Sequence, residues 1–405
     1  MRRWVAAAVV ACLAGAAVAR AESLEAIRQR LRAEAGVCET PSSPADLPMV
    51  GLTVLPGDTH ARLALDLTGQ AETAGVLKKV APRLVPGTRV FVPRALLSPL
   101  LADPRLEPLR LGPDTPTLWR LVRRRVDTTE GGPAVAVRNL QRLNGITDPR
   151  RLPRGARILV PRSLLKGRPG EPAPPLRLSK KYRVTRVSGL QRTPKPDDFP
   201  TALRRRLRGR AWRRQLKPRK PDLVVIHTTE HRGAPFPNVA SYIRRKRLTN
   251  YLVGPDGTVY EIVPDRYRAF GCGQSLWEGR YEVDFNAINV EVYADTSPGR
   301  PEGGGIRPAQ YEALRALLGF LRGRYPGLHE GRVVTHRMVA VSYATGLRSR
   351  KGDPYVFDWA RAGLPDNSQV IDQDVLVGRA KPCTDPRYAD RMTEGQAAAA
   401  RMGEL

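Results

Sequence analysis

Two short apolar runs, each ending in a histidine, constrain the fold of this chain most strongly. Residues 223–226 precede His227, and residues 333–335 precede His336. A short continuous run of aliphatic and β-branched residues is typical of a buried strand. A histidine at the end of a buried strand is held rigidly, as a metal ligand must be. The pattern therefore predicts an α/β domain with two imidazoles at the ends of its core strands.

A carboxylate follows the second histidine at a distance that a loop can close. Asp353 comes seventeen residues after His336, within Lys351-Gly-Asp353-Pro354. Two imidazoles and one carboxylate are a suitable set of three protein ligands for zinc, with a fourth position left for water. The sequence therefore predicts a Zn²⁺ site formed by His227, His336 and Asp353.

These residues belong to motifs that resemble one family. The motifs resemble those of the type-2 N-acetylmuramoyl-L-alanine amidases, whose fold is that of the peptidoglycan-recognition proteins. Residues 251–264, with Asp256-Gly257 at the centre, also resemble the hairpin of that family. The resemblance covers residues 221–359 and rests on four motifs in the right order: Ile226-His-Thr-Thr-Glu230, Asn286-Ala-Ile-Asn-Val-Glu291-Val, Thr335-His336 and Lys351-Gly-Asp-Pro354.

The resemblance implies a fold, a reaction and a role for each site residue. The expected fold is an α/β domain with a mixed central sheet flanked by helices, one of them at residues 308–324. His227, His336 and Asp353 would bind zinc. Glu291 would be the general base, and Lys351 would stabilise the oxyanion. The enzyme would cleave the amide bond between the lactyl group of N-acetylmuramic acid and L-alanine of the stem peptide.

The chain also departs from the family pattern near the site. The spacing from His336 to Asp353 is several residues longer than the family norm, so residues 340–349 are expected to form a loop near the site. Tyr355 stands where a glycine is usual. Asn250 and Gly271 stand where many members have histidine, and both are expected to line the groove. His329, which precedes a turn, is expected at the surface.

Other interpretations of the same residues remain open. His227-Thr-Thr-Glu230-His231 fits the signature of the inverzincin peptidases, but that chemistry needs a helix, and the nearby prolines of residues 232–237 would end one. Glu291 could be a structural carboxylate on a buried strand. A peptidoglycan-binding protein that keeps the fold without catalysis is the alternative function.

An internal repeat precedes this domain. Residues 84–97 recur in similar form as residues 152–165, each copy with a turn, a short strand and a proline. Helix-compatible stretches lie upstream of both copies, at residues 60–67, 71–80, 118–126 and 134–143. The chain is therefore expected to contain two small α+β units of the βααβ type, and units of this size usually bind a ligand.

Parts of both units resemble LysM modules. Residues 52–59, which contain Pro56-Gly-Asp-Thr59, look like the opening of such a module, and residues 143–146 with 155–161 resemble the second half of one. The resemblance implies binding of glycans that contain N-acetylglucosamine. The alternative is a pair of βααβ units without a glycan groove.

The N-terminus is typical of a secretory signal peptide. Arg2 and Arg3 precede an apolar run from residue 4 to residue 18, and Ala19-Arg-Ala21 has the small-x-small form of a cleavage site. A membrane anchor is the alternative, although about 15 apolar residues fall short of the ~20 that span a bilayer. The expected location is secreted or periplasmic, at the cell envelope.

The charge of the chain favours a polyanionic partner. The sequence has 68 Lys plus Arg against 39 Asp plus Glu, a formal net charge of +29. We find no nucleic-acid-binding motif, which favours peptidoglycan and an anionic envelope surface over nucleic acid. Residues 203–220 carry ten Lys or Arg and no acid. This segment is either a basic amphipathic helix on that surface or a solvated segment.

Together these features predict six regions. Residues after Asp390 are expected to fray, and a disulfide between Cys38 and Cys383 is left open. The regions are a signal peptide at 1–21, LysM-like modules at 50–98 and 115–165, a basic Pro-rich linker at 166–220, a zinc amidase domain at 221–362 and a C-terminal tail at 363–405.

Overall fold

The chain begins with a strand–helix–helix–strand unit. The computed structural model describes residues 48–128, 131–166, 174–195, 197, 199–206, 220–298, 305–348, 350–384 and 391–403, so the predictions for residues 1–21 and Cys38 lie outside it. The elements of this part are β1 (Met49–Thr53), α1 (His60–Thr68), α2 (Ala74–Val80), β2 (Arg89–Pro93) and α3 (Pro99–Ala102). Strands β1 and β2 pair antiparallel, and Thr59 accepts a hydrogen bond from Arg62 N at the start of α1.

A second unit of the same type follows. Its two strands are antiparallel, and its helices coincide with the predicted helical stretches. The first strand begins at Leu106, upstream of the predicted boundary at residue 115. The sequence pattern does not reveal this strand, because a proline interrupts its alternation of apolar and polar residues. The elements are β3 (Leu106–Arg110), α4 (Leu118–Arg125), α5 (Gly132–Asn144) and β4 (Arg157–Pro161).

The two units share one core and form one body. Helix α5 packs against both β1 of the first unit and β4 of the second. Arg142 of α5 is fully buried, and its guanidinium donates to Asp58 Oδ1 at 2.6 Å and to Asp66 Oδ2 at 2.9 Å. Asp58 belongs to the Pro-Gly-Asp-Thr turn that carries the LysM resemblance. That carboxylate therefore binds the second unit and is closed to solvent.

The chain from residue 174 onward is built on a six-stranded mixed sheet. The elements are β5 (Leu178–Ser179), α6 (Thr201–Arg206), β6 (Leu223–Thr228), α7 (Phe236–Lys246), β7 (Tyr251–Val253), β8 (Val259–Glu261), β9 (Leu276–Trp277), β10 (Arg280–Tyr281), β11 (Ala287–Val292), α8 (Pro308–Arg324), β12 (Val333–Thr335) and α9 (His336–Val339). The strands of the sheet lie in the order β12-β6-β11-β7-β8-β5, with β7 and β8 antiparallel and the other neighbouring pairs parallel.

Burial of the central strands confirms the mixed sheet with flanking helices. Every residue of β6 is buried, as the continuous apolar run predicts. The hairpin turns at Gly257, whose φ of 78° is in the region that favours glycine. Helix α8 buries Leu314, Leu317 and Leu321 against this sheet and begins with Pro308, as predicted.

The segment predicted as a linker contributes to the folded domain. Leu178 in β5 pairs with Val259 of β8 at the edge of the sheet. Phe199 and Leu203 are buried beside Phe285. The sheet therefore extends upstream of residue 221, because the apolar residues between the prolines find partners far along the chain. Residues 207–219, which hold most of the basic segment, lie outside the described residues.

The C-terminal segment is also folded. It contains α10 (Gln373–Leu376) and α11 (Glu394–Gly403), and Ala398, Ala399 and Met402 of α11 are buried. The prediction that residues after Asp390 fray is wrong, because this alanine face packs on the rest of the core. Among the helices that the structure describes, none combines the length and apolar character needed to cross a bilayer.

Candidate metal and catalytic site

The three predicted metal ligands converge at one edge of the sheet. His227 lies near the end of β6, His336 directly follows β12, and Asp353 lies on the loop after α9. One ligand atom from each of the three residues lies within 4.8 Å of the others. Asp353 Oδ2 is 3.0 Å from His336 Nδ1 and 3.6 Å from His227 Nδ1. The neighbouring parallel strands β6 and β12 bring the two histidines together.

The other nitrogen of each ring is held from behind. His227 Nε2 is 3.0 Å from Asn289 Oδ1, and His336 Nε2 is 3.1 Å from the carbonyl oxygen of Cys272. Both oxygens are acceptors, so each ring can donate from Nε2, and in that tautomer the lone pair of Nδ1 lies on the side of Asp353. This is the arrangement that metal-binding histidines require. Both Nδ1 atoms are therefore free to ligate on the side of Asp353.

Asp353 is prepared to carry a negative charge. Burial alone would raise its pKa, but His336 and His227 outweigh burial and hold the pKa well below its usual range. An ionised carboxylate beside two imidazole nitrogens is the donor set that suits a divalent metal of intermediate softness. The residues present therefore fit a zinc ion.

Glu291 lies next to this group on the adjacent strand. In the parallel pair of β11 and β6, Glu291 is in register with His227. Burial raises the pKa of Glu291 to about 7; the charges of Asp353 and Glu230 act in the same direction, and those of His227 and Lys351 oppose them. A carboxyl group with such a pKa exchanges protons readily near neutral pH.

Lys351 lies at the exposed rim of the site. Its side chain is open to solvent, and its charge acts on Glu291. The neighbouring Arg350 donates to the carbonyl of Cys272 at 2.7 Å, the same oxygen that His336 Nε2 contacts. Two cationic side chains therefore lie beside the predicted ligands.

The sequence interpretation missed Asn289, although a signal for it was present. Asn289 precedes Glu291 by two positions in β11, and alternate residues of a strand point to the same face. It is fully buried, and its Nδ2 donates to Asp284 Oδ1 at 2.8 Å. Asp284 Oδ1 also accepts from Cys272 N at 3.0 Å. A buried polar network thus supports His227.

Comparison with known proteins identifies the family. Residues 217–356 match the family described as N-acetylmuramoyl-L-alanine amidase. The 1,6-anhydro-N-acetylmuramyl-L-alanine amidase AmpD of Enterobacter cloacae is 34% identical over an alignment of 162 residues, and the match covers 35% of this chain and 79% of that protein. The chain belongs to the N-acetylmuramoyl-L-alanine amidase family. Its enzymatic activity is that of a peptidoglycan amidase.

Solved structures of other amidases are similar to this amidase in part. AmiD from E. coli, in complex with anhydro-N-acetylmuramic acid-L-Ala-D-gamma-Glu-L-Lys, is 24% identical, covers 47% of this chain and 91% of its own, and has a TM-score of 0.33. AmpDh3 from Pseudomonas aeruginosa is 20% identical, covers 45% of this chain and 90% of its own, and has a TM-score of 0.34.

Two residues were expected to line the groove of the amidase, and one of them is buried inside the fold. Asn250 is fully buried, and its side chain donates to the carbonyls of Val263 and Tyr267. A side chain on Gly271 would lie 2.7 Å from the carbonyl oxygen of Leu248. The predicted groove position is wrong for Asn250, because its side chain satisfies backbone groups inside the fold. Gly271 permits a close backbone approach and is partly exposed, so its place in the groove stays a prediction.

The insertion of the amidase is anchored to the C-terminal segment. Arg348, which is 2% exposed, donates to Asp372 and Asp374 of the C-terminal segment. It also donates to the carbonyl of Val339, the last residue of α9. The described part of residues 340–349 therefore ties the helix that His336 begins to the C-terminal segment.

His329 is buried, against the prediction that it lies at the surface. It is 5% exposed, and burial lowers its pKa to about 4. It lines a cavity of about 470 Å³ between the βααβ body and the amidase sheet.

The inverzincin interpretation is wrong, because His227 lies in a strand and His231 follows the end of that strand.

Proposed function

We propose that this chain is a secreted, zinc-dependent amidase that cleaves the bond between N-acetylmuramic acid and L-alanine of the stem peptide. The observation that carries the proposal is the pairing of both histidine Nε2 atoms with fixed acceptors, which leaves both Nδ1 atoms for a metal beside Asp353. A non-catalytic binding protein would need neither this preparation nor a carboxyl group of raised pKa in register with a ligand.

His227, His336 and Asp353 would hold the zinc ion. When bound, zinc acts as a Lewis acid that polarises a carbonyl and lowers the pKa of water to about 7. Glu291 would then have two tasks, for which a carboxyl group whose pKa is raised by burial is suited. It accepts the proton of the attacking water, and it returns a proton to the departing amine of L-alanine.

Lys351 stabilises the negative charge that develops on the carbonyl oxygen of the scissile amide. The residue lies at the exposed rim, and its charge already acts on Glu291.

The N-terminal part would bring the amidase to its substrate. The signal peptide at residues 1–21 would direct export, and the βααβ body would bind glycan through the second unit, because Asp58 of the first is engaged by Arg142. The basic segment at residues 203–220 would associate with an anionic envelope surface.

Metal dependence is tested on the mature protein. We expect a chelator to abolish hydrolysis of a soluble muropeptide, and a stoichiometric amount of Zn²⁺ to restore it. Zinc at 100 times its Kd should stabilise the wild-type protein by about 2.7 kcal/mol and leave Asp353→Ala unchanged. Full activity in excess chelator would contradict the proposal.

A further inference from the structure

Glu230 connects three segments that carry the site. It lies three residues after His227, beyond the end of β6, and its backbone N–H donates to the carbonyl of Ala294 at 3.0 Å. Ala294 lies beyond the end of β11, the strand of Glu291. The backbone thus joins the two strands at the edge where the site lies.

The carboxylate of Glu230 extends this connection into the next loop. It accepts from the hydroxyl of Thr228 at 2.6 Å, from that of Thr296 at 2.7 Å, and from the backbone N–H groups of Thr296 and Ser297 at 2.9 Å each. The hydroxyl of Ser297 donates to it as well. Five donors on one carboxylate fix both its oxygens.

Thr296 passes the connection to the loop of the third ligand. Its hydroxyl oxygen accepts from the backbone N–H of Tyr355 at 2.9 Å. Tyr355 follows Asp353 by two positions, and the carbonyl of Asp353 accepts from Arg337 N at 3.0 Å on the other side. The peptide of Asp353 is thereby held between α9 and the loop that Glu230 orders.

The backbone of Glu230 adopts an unfavourable conformation that these contacts stabilise. Its φ is 43°, in the left-handed region that a residue with a side chain rarely adopts. Such a conformation is unfavourable for a residue with a side chain and persists where the surroundings over-determine it. Burial, and then a hydrogen bond with Asp295, raise the pKa of this carboxyl group.

We propose that Glu230 is a positioning residue of the metal site, which holds the segments of His227, Glu291 and Asp353 in register. It contacts none of the reacting atoms and acts through Thr296 and Tyr355. The inference rests on the proposed zinc dependence. Supporting groups of this kind change metal affinity about 10–100-fold when they are lost.

Two substitutions separate positioning from stability. Glu230→Gly removes the carboxylate and also relieves the left-handed backbone, so folding should be largely preserved. Glu230→Gln keeps an acceptor for the N–H groups of Thr296 and Ser297, while its amide can donate to the hydroxyls, which rotate to accept. Asp366→Ala is the matched control, since that carboxylate caps a turn only within Asp366–Gln369.

The experiment measures zinc affinity by competition with a chromophoric chelator, the absorption spectrum of the Co²⁺ form, kcat and KM. For Glu230→Gly we expect about tenfold or more weaker zinc binding, an altered Co²⁺ spectrum, a lower kcat and an unchanged KM. Glu230→Gln should recover most of the affinity, and Asp366→Ala should match the wild type.

The outcomes are distinguishable from failure of the proposed function. If the wild-type protein binds no zinc, the proposed function fails before Glu230 is tested. If the wild type binds zinc and Glu230→Gly binds it equally, with the same Co²⁺ spectrum and kcat, the positioning role is overturned. A lower melting temperature with unchanged affinity would mean that Glu230 only stabilises the fold, which also overturns it.

Discussion

Asn289 supports His227 from the neighbouring strand, with its Oδ1 3.0 Å from the Nε2 atom of the ring. Because this contact favours the tautomer with the proton on Nε2 and orients the ring, Asn289→Ala should weaken zinc binding about 10–100-fold. Chelator competition measures the effect. Asn367→Ala is the control, since it removes a buried amide that donates to the carbonyls of Glu330 and Val333. Equal zinc affinity in the two variants would refute the supporting role.

Glu291 should set the acidic limb of the pH profile. The general base must be ionised, so kcat/KM should fall as the pH is lowered through the pKa of Glu291. That pKa is about 7 in the metal-free site and is lower when a dication is bound nearby. Glu291→Gln should lose about 10²–10⁴-fold in rate, together with this limb. A variant that keeps the wild-type profile would show that another group is the base.

The same carboxyl group should reduce the stability of the metal-free protein at high pH. Its folded pKa is raised from 4.5 to about 7, so the folded state binds more protons between these values. Stability should therefore fall as the pH rises through this window. In urea titrations of the metal-free protein at pH 8, Glu291→Gln should be about 1–3 kcal/mol more stable than the wild type. Lower stability of the variant would show that the carboxylate is well compensated by its surroundings.

The convergence of the three candidate metal ligands could be predicted because local sequence determines it. The apolar runs before His227 and His336 define buried strands. Asp353 lies in a short motif that follows the second of these strands. Asn289 was missed, although its place two residues before Glu291 puts it on the same face of β11. The helix at Glu394–Gly403 could not be predicted, because its alanine face is weakly amphipathic and only the folded core shows what it covers.

Contacts between charged residues that are distant in the chain could not be predicted from the sequence either. Arg142 and Asp58 are 84 positions apart, and no local pattern pairs them among 68 basic residues. The strand at Leu178–Ser179 is too short for periodicity to reveal it. Its place at the sheet edge depends on β8, which lies about 80 residues further along the chain.

Arg142 should be essential to the N-terminal body. Arg142→Ala would leave the buried carboxylates of Asp58 and Asp66 without their shared partner, and breaking a buried pair costs about 3–5 kcal/mol. Urea unfolding followed in the βααβ body should show the loss. Arg150→Ala removes an exposed pair with Asp148 and should change stability by less than about 1 kcal/mol. Similar losses in both variants would contradict the assigned role.

Arg348 should couple the C-terminal segment to the catalytic domain. Arg348→Ala leaves Asp372 and Asp374 buried without this partner and frees the end of α9 at Val339. We expect faster hydrogen exchange in α9 and α10 and a loss of about 3–5 kcal/mol in stability. Arg379→Ala is a milder control, because that residue is partly exposed and contacts Asp374 alone of the two acids. Unchanged exchange in α9 after Arg348→Ala would contradict the coupling.

The most direct test is digestion of purified peptidoglycan by the mature protein, followed by mass spectrometry of the products. The account predicts release of stem peptides that begin with L-alanine, lost with a chelator, restored by zinc, and absent for His336→Ala. Glycan with its stem peptides still attached, at high enzyme concentration and with zinc present, would contradict it.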